Sequence, residues 1–146
     1  KMNILVINGP NLNLLGIRET EIYGTTTLAE LMIWLETSQE GIKHKFKFYQ
    51  SNHEGEIIDI IHDERLWANG IIINPGAFTH YSYAIRDAIS SISIPTIEVH
   101  LSDILNREKF REKSVISEVC LEQVSGKGKN SYLIGLTKLL NHINGK

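Results

Sequence analysis

Apolar and polar positions along the chain switch between two periods. Residues 71–73 are three isoleucines, led in by Gly70. A β-branched run without polar alternation predicts a strand covered on both faces, as in a parallel sheet. Asn74, Pro75 and Gly76 stop it, because proline cannot donate to a ladder and glycine tolerates a sharp turn. Beyond the turn the period becomes helical. Tyr81, Ala84, Ile85, Ala88 and Ile89 fall at i, i+3, i+4, i+7 and i+8, one helical face. His80 and Asp87 lie two turns apart on another face. The stretch therefore reads strand, tight turn, helix, with Asn74, Thr79 and His80 around the turn. Ligands of open α/β sheets bind beyond the carboxyl ends of the strands, so this turn is expected to floor a binding site.

The same grammar recurs along the chain. Residues 3–8, NILVIN, predict a first buried strand that ends in the polar turn Gly9, Pro10, Asn11, Leu12, Asn13. Residues 18–24, RETEIYG, follow neither period and read as a mobile surface loop. Thr27 and Glu30 form a capping box that opens a helix with Leu28, Leu31 and Leu35 inward and Gly41 at its end. Residues 44–50 alternate, with Phe46 and Phe48 on one side, and predict a half-exposed edge strand. Ser51 and Glu54 form a second capping box before Ile57, Ile58 and Ile61. Residues 94–99 predict a strand with Pro95 at its start, where proline is tolerated. It delivers Glu98 and His100, and Ser102-Asp103 then suggests a helix start, whose free N–H groups attract anions. Residues 107–113 are basic, and residues 115–124 hold a last short strand. Asn130 or Ser131 is expected to cap a final helix with Leu133, Leu136, Leu140 and Ile143 inward. Strands alternating with helices make right-handed βαβ units. The predicted fold is a flavodoxin-like three-layer α/β/α domain with a parallel sheet, one domain over residues 1–146.

Composition narrows the function classes. Hydrophobic residues at 42% and charged residues at 22% are ordinary for a globular chain. A net charge of −2 gives no electrostatic case for nucleic acid or an anionic membrane as partner. The single Cys120 excludes an internal disulfide and a cysteine zinc cluster, which fits a reducing cytoplasm. No apolar run approaches transmembrane length. Lys1-Met2-Asn3-Ile4 leads straight into the first strand, so no signal peptide is expected.

Polar groups gather at three predicted strand ends: Asn11 after the first, Asn74 and His80 after the third, Glu98 and His100 after the fourth. They are expected to converge on one rim, with Arg18, Tyr23 and Arg111 on loops able to close over it. The chain has no GxxxxGK[ST] phosphate loop, no GxGxxG after its first strand and no GxSxG elbow. Residues 126–129, GKGK, read as a plain turn or a phosphate loop. Cys120 is expected inside a strand, a poor place for a nucleophile. The histidines lack metal-ligand spacing, although His80 and His100 could pair around an ion. What remains suits acid–base chemistry on an oxygenated anion. An imidazole titrates near neutrality. Glu98 and His100 are two apart, so on a regular strand both point to one face. The carboxylate would then orient the ring and keep it protonated; otherwise His100 simply caps the next helix. Tyr23 is either a loop anchor or a base. A phenol has a pKa of about 10, and lowering it by about two units means favouring the phenolate by roughly 2.7 kcal/mol. One close guanidinium in a water-poor pocket supplies that magnitude, and Arg18 and Arg111 are the candidates.

With these residues in hand, the chain resembles the type II 3-dehydroquinate dehydratases over nearly its full length. The motifs are ILVINGPNLNLLGIRE at residues 4–19, Tyr23-Gly24, QSNHEGEIID at 50–59, INPGAFTH at 73–80, AIRDA at 84–88, EVHLS at 98–102, and Arg111. Any one alone would be weak, but together and in this order they are specific. The resemblance implies anti elimination of water from 3-dehydroquinate through an enolate, with no metal, cofactor or Schiff base. It implies that Tyr23 removes the proton, Arg18 keeps Tyr23 reactive, Asn11 holds a water at the enolate oxygen, and His100, oriented by Glu98, protonates the leaving hydroxyl. It also implies that Asn74, Gly76, His80, Arg111 and the backbone of Leu101 and Ser102 bind substrate. Asp87 would reach a neighbouring subunit's site, because the family forms trimers that assemble into dodecamers. One segment departs from the family pattern. Residues 122–125, EQVS, replace a usual glycine-rich strand and turn, and are expected not to touch the catalytic set. Two other readings stand beside this one: a flavodoxin-like module that holds flavin or a phosphorylated effector, and an inactive family member kept as a scaffold.

Overall fold

In the computed structural model, which describes residues 1–17, 20–104 and 108–145, the strands are β1 (Asn3–Asn8), β2 (Lys45–Gln50), β3 (Gly70–Asn74), β4 (Thr96–Val99) and β5 (Glu122–Val124). They form one sheet in the order β2-β1-β3-β4-β5, and every neighbouring pair is parallel. The helices are α1 (Thr20–Tyr23), α2 (Leu28–Glu36), α3 (Glu54–Asp63), α4 (Tyr83–Ser90) and α5 (Asn130–Ile143). This is the flavodoxin-like order, and the reversal in winding falls between β1 and β3.

The unalternating strands bury both faces. Ile4, Val6, Ile72, Ile97 and Val99 pack with Leu31, Met32 and Leu35 of α2 and with Tyr132, Leu136, Leu139 and Leu140 of α5. On the other face Leu5, Ile7, Ile71 and Ile73 meet Ile57 and Ile61 of α3 and Ile85, Ala88 and Ile89 of α4. The outer strand β2 is only half-buried, and Phe46 and Phe48 stack on one side of it with centroids 5.5 Å apart. Among the described residues, no helix is long and apolar enough to cross a membrane.

Local chemistry explains where expected boundaries moved. The Thr27–Glu30 capping box forms as expected, Thr27 N–H donating to Glu30 Oε1 (2.9 Å) and Glu30 N–H to Thr27 Oγ1 (3.2 Å). Yet α2 stops at Glu36, well before Gly41. The Thr37 and Ser38 hydroxyls donate back to the carbonyls of Ile33 and Leu35 (2.7 and 2.6 Å) and end the ladder. The second capping box does not form. Glu54 is itself the first residue of α3, too early to close a box, and its carboxylate accepts from Ser82 Oγ at 2.5 Å. Ser51 Oγ accepts instead from His53 N–H.

Tyr81 lies outside α4. Residues 76–80 form a 3-10 turn, Ser82 accepts from Ile85 N–H at 3.0 Å to cap α4, and Tyr81 is left 59% exposed. Residues 20–23 form a helical turn where a loop without periodicity was expected. Neither Asn130 nor Ser131 caps α5. Lys129 occupies the cap position without a side-chain bond, and Ser131 Oγ accepts from Lys127 N–H. Tyr132 and Leu139 point inward along with Leu136 and Leu140, whereas Leu133 is only half-buried.

Candidate active site

A cleft crosses the carboxyl ends of β1, β3 and β4, at the switch point of the sheet. Asn11 reaches it from the loop after β1, Asn74, Gly76 and His80 from β3 and its following turn, and His100, Leu101 and Ser102 from the segment after β4. Arg111 closes one side. Pro10, Leu12, Ala77 and Ile104 also line it, and none of these four stood out in the sequence.

Asn11 adopts a left-handed backbone (φ 70°), the one described non-glycine residue with positive φ. Asparagine tolerates this because its short polar side chain can bond locally. Its N–H donates to Asn52 Oδ1 at 2.9 Å, so the turn just after β2 holds the β1 loop in place. The β1 and β3 loops touch directly. Gly9 N–H donates to the Asn74 carbonyl at 2.7 Å, and a Cβ at Gly9 would lie 2.6 Å from the Pro75 carbonyl oxygen. Asn74 is fixed from below: its Nδ2 donates to Tyr132 Oη at 2.9 Å and its Oδ1 accepts from Gly76 N–H at 3.1 Å. Tyr132 in turn donates to Asn8 Oδ1 at 2.6 Å. Burial pushes the Tyr132 phenol well above its ordinary range, so it stays protonated and able to donate.

His100 and Glu98 meet as their two-residue spacing predicts, with His100 Nε2 2.5 Å from Glu98 Oε2. Glu98 has no exposed surface and His100 is 6% exposed. Burial works against the ionised carboxyl, but bonds from His100, Thr79 and Gln123 outweigh it and hold Glu98 below the usual carboxylate range. A carboxylate only accepts, so it takes the Nε2 proton and leaves Nδ1 for the cleft that His100 lines. The His80 imidazole is held below its ordinary pKa. Burial lowers its pKa most, and the neighbouring His100 and Arg111 lower it further, against the Lys113 carbonyl that raises it. Its Nδ1 lies 2.7 Å from that carbonyl and must donate to it, which fixes the tautomer. The ring also meets Phe110 edge-on at 5.8 Å. Arg111 sits over the same phenyl ring at 4.7 Å, with its Nε donating to Glu108 at 2.7 Å.

Not every expected residue joins the cleft. Asp87 is exposed on α4 and lines no part of it, because the break at Tyr81 and Ser82 separates the His80 turn from the α4 helix. Arg18, the side chain of Tyr23 and residues 105–107 lie outside the described residues. Cys120 precedes β5 instead of lying inside it, and burial, then Glu98 nearby, push its thiol up to about 12. It is a poor nucleophile on that ground. Among the described residues, no three His, Cys, Asp or Glu side chains group as metal ligands. The segment that departs from the family pattern does touch the site, contrary to expectation, through Gln123 Nε2, which donates to Glu98 Oε2 at 3.1 Å.

Fold and cleft together define an α/β protein of flavodoxin-like topology with a buried Glu98–His100 pair at the switch point of a parallel sheet. A family model described as dehydroquinase class II matches residues 2–140. The 3-dehydroquinate dehydratase of Caldicellulosiruptor saccharolyticus is 58% identical over 139 residues, covering 93% of this chain and 94% of that protein. That of Trichodesmium erythraeum is 53% identical over 141 residues, covering 97% and 94%. The crystal structure of a type II dehydroquinase from Butyrivibrio crossotus superposes with a TM-score of 0.92 at 49% identity, covering 95% of this chain and 97% of that one. This chain belongs to the class II dehydroquinase family, and its enzyme class is hydro-lyase.

Proposed function

We propose that the chain acts as a single domain that converts 3-dehydroquinate to 3-dehydroshikimate, in the shikimate pathway toward aromatic amino acids. The observation that carries this reading is the buried Glu98–His100 pair at the wall of a cleft lined by Asn74, His80 and Arg111. An imidazole able to pass a proton, beside polar and cationic groups that suit hydroxyls and a carboxylate, fits loss of water from a polyhydroxylated acid. Relatives at more than half identity are 3-dehydroquinate dehydratases, which supports the substrate.

In the proposed sequence the Tyr23 phenolate takes a proton from the carbon beside the ketone. The electron pair moves to the carbonyl oxygen, and a water held by Asn11 supports that enolate. Arg18 keeps the phenol acidic. As the enolate collapses, the β-hydroxyl leaves on the opposite face with a proton from His100, a carbon–carbon double bond forms and the ketone returns. Tyr23 is left protonated and His100 deprotonated, and exchange with solvent resets both. Asn74, Gly76, His80, Arg111 and the backbone of Leu101 and Ser102 bind the hydroxyls and carboxylate. The reaction needs no cofactor or metal. Asp87 serves the site of a neighbouring copy, in trimers that assemble into a dodecamer. Its exposure, away from its own chain's cleft, supports that role. The expected compartment is the cytoplasm, which suits a chain with one cysteine and no disulfide.

The product is a conjugated enone. Mixing the protein with 3-dehydroquinate should produce a new ultraviolet absorbance, and silence across pH 6 to 9 would overturn the proposal.

A further inference from the structure

Glu98 and Gln123 are direct partners in the parallel pairing of β4 with β5. Cross-strand partners point to the same face of a sheet, which brings the Gln123 amide to the buried carboxylate. Oε2 of Glu98 accepts from His100 Nε2 at 2.5 Å, from the Thr79 hydroxyl, and from Gln123 Nε2 at 3.1 Å. Ser114 Oγ lies 3.0 Å from both carboxylate oxygens. The oxygen that faces His100 is therefore shared among several donors.

We propose that Gln123 is a positioning residue for the His100–Glu98 pair, which draws charge from the shared oxygen and so keeps His100 a stronger acid. The proposal rests on the reading of His100 as the proton donor. Each donor on Oε2 takes part of the negative charge that would otherwise face the imidazolium. Removing one concentrates the charge on His100, stabilises its protonated form and weakens it as an acid. Of the three supporting side chains, Gln123 isolates this effect best. Ser114 also accepts from the Ile116 and Ser117 N–H groups, so changing it would disturb the backbone. Thr79 is fully buried and its hydroxyl lies 2.8 Å from Ser114 Oγ, so changing it would disturb Ser114 as well. Gln123 sits half-buried on the outermost strand, and β5 pairs with β4 alone. Among the described residues, the other titratable or charged groups around the pair are His80 on its turn, Arg111 opposite, and Cys120 before β5. On the α5 side, Lys138 is paired with Glu122 at 3.0 Å. Substituting Gln123 leaves all of these in place.

The test compares the full chain with Gln123→Met and Gln123→Leu. The ring nitrogens of His100 are followed by nitrogen-15 NMR titration, and kcat and KM for 3-dehydroquinate are measured across pH. Both variants should raise the His100 midpoint by about half a pH unit or more. The alkaline limb of kcat should move the same way, and the kcat plateau below that limb should fall by up to roughly threefold with KM little changed. A midpoint and limb that stay where they are in the unaltered protein overturn the proposal, as does a change in KM alone. On the unaltered chain, the Gln123 side-chain amide should shift with the same midpoint as His100, a readout that holds even where a variant fails to fold. An amide indifferent to that titration refutes the contact. If the unaltered chain shifts as described but shows no enone signal, the function proposed above fails while this coupling stands.

Discussion

At the level of single residues, the contact between Glu98 and His100 was legible in the sequence. A two-residue spacing on a strand is enough to bring Glu98 and His100 to one face, and they meet at 2.5 Å. Thr79, Ser114 and Gln123, which complete the carboxylate's surroundings, come from three separate places in the chain and had no local signature. The ionised Glu98 has a consequence for stability. Its folded pKa is depressed, so its contribution is present above the unfolded carboxyl value of about 4.3 and is lost as pH falls through the lower folded value. Glu98→Gln should therefore melt lower at pH 7 and show a flatter acid limb. Parallel melting curves for the two proteins down to pH 2 would count against the account. Tyr23→Phe should cut kcat by roughly 10²- to 10⁴-fold while equilibrium binding of substrate persists. Substantial retained turnover would reassign the base.

Among the elements, most strands and helices followed their periods and most differences fell at helix ends, the helical turn at residues 20–23 and the place of Cys120 before β5 being the exceptions. Thr37, Ser38 and Ser82 decide those ends through side-chain bonds to backbone, which compete with helical periodicity over one or two residues. The α5 helix shows a second limit. Its inward face holds Tyr132, whose hydroxyl links Asn8 of β1 to Asn74 of β3. It also needs Gly135, where an added Cβ would lie 2.9 Å from Val99 Cγ1 and 3.3 Å from Ile97 Cγ2. The helix thus rests against β4 just before the strand delivers His100. Gly135→Ala should cost about 1–3 kcal/mol through overpacking. Chemical denaturation measures it, and an unchanged midpoint would show that α5 can move away without strain.

For the molecule as a whole, the topology gathers the site. Reversal of winding between β1 and β3 opens the cleft, and the loops after β1, β3 and β4 supply its lining. The proposed assembly adds a demand that one chain cannot meet, since Asp87 lies away from its own cleft. Solution sizing should find a dodecamer. Asp87→Ala and Tyr23→Phe proteins, each weak alone, should recover activity when their subunits are mixed. In such mixtures some sites combine an intact Tyr23 with a neighbour's intact Asp87. No recovery in demonstrably mixed particles would place Asp87 in the service of its own chain.

Sequence by itself determined the parallel α/β class, the sheet's two buried faces, and the strand ends that carry polar groups. Those properties depend on residue period and on turn chemistry, which act over a few positions. Tertiary structure decided what surrounds Glu98, how Tyr132 supports Asn74, and that His80 and Asp87 part company. Each of these depends on side chains distant in the chain meeting in a dry interior. There a polar group must find a partner, and no periodicity records which one.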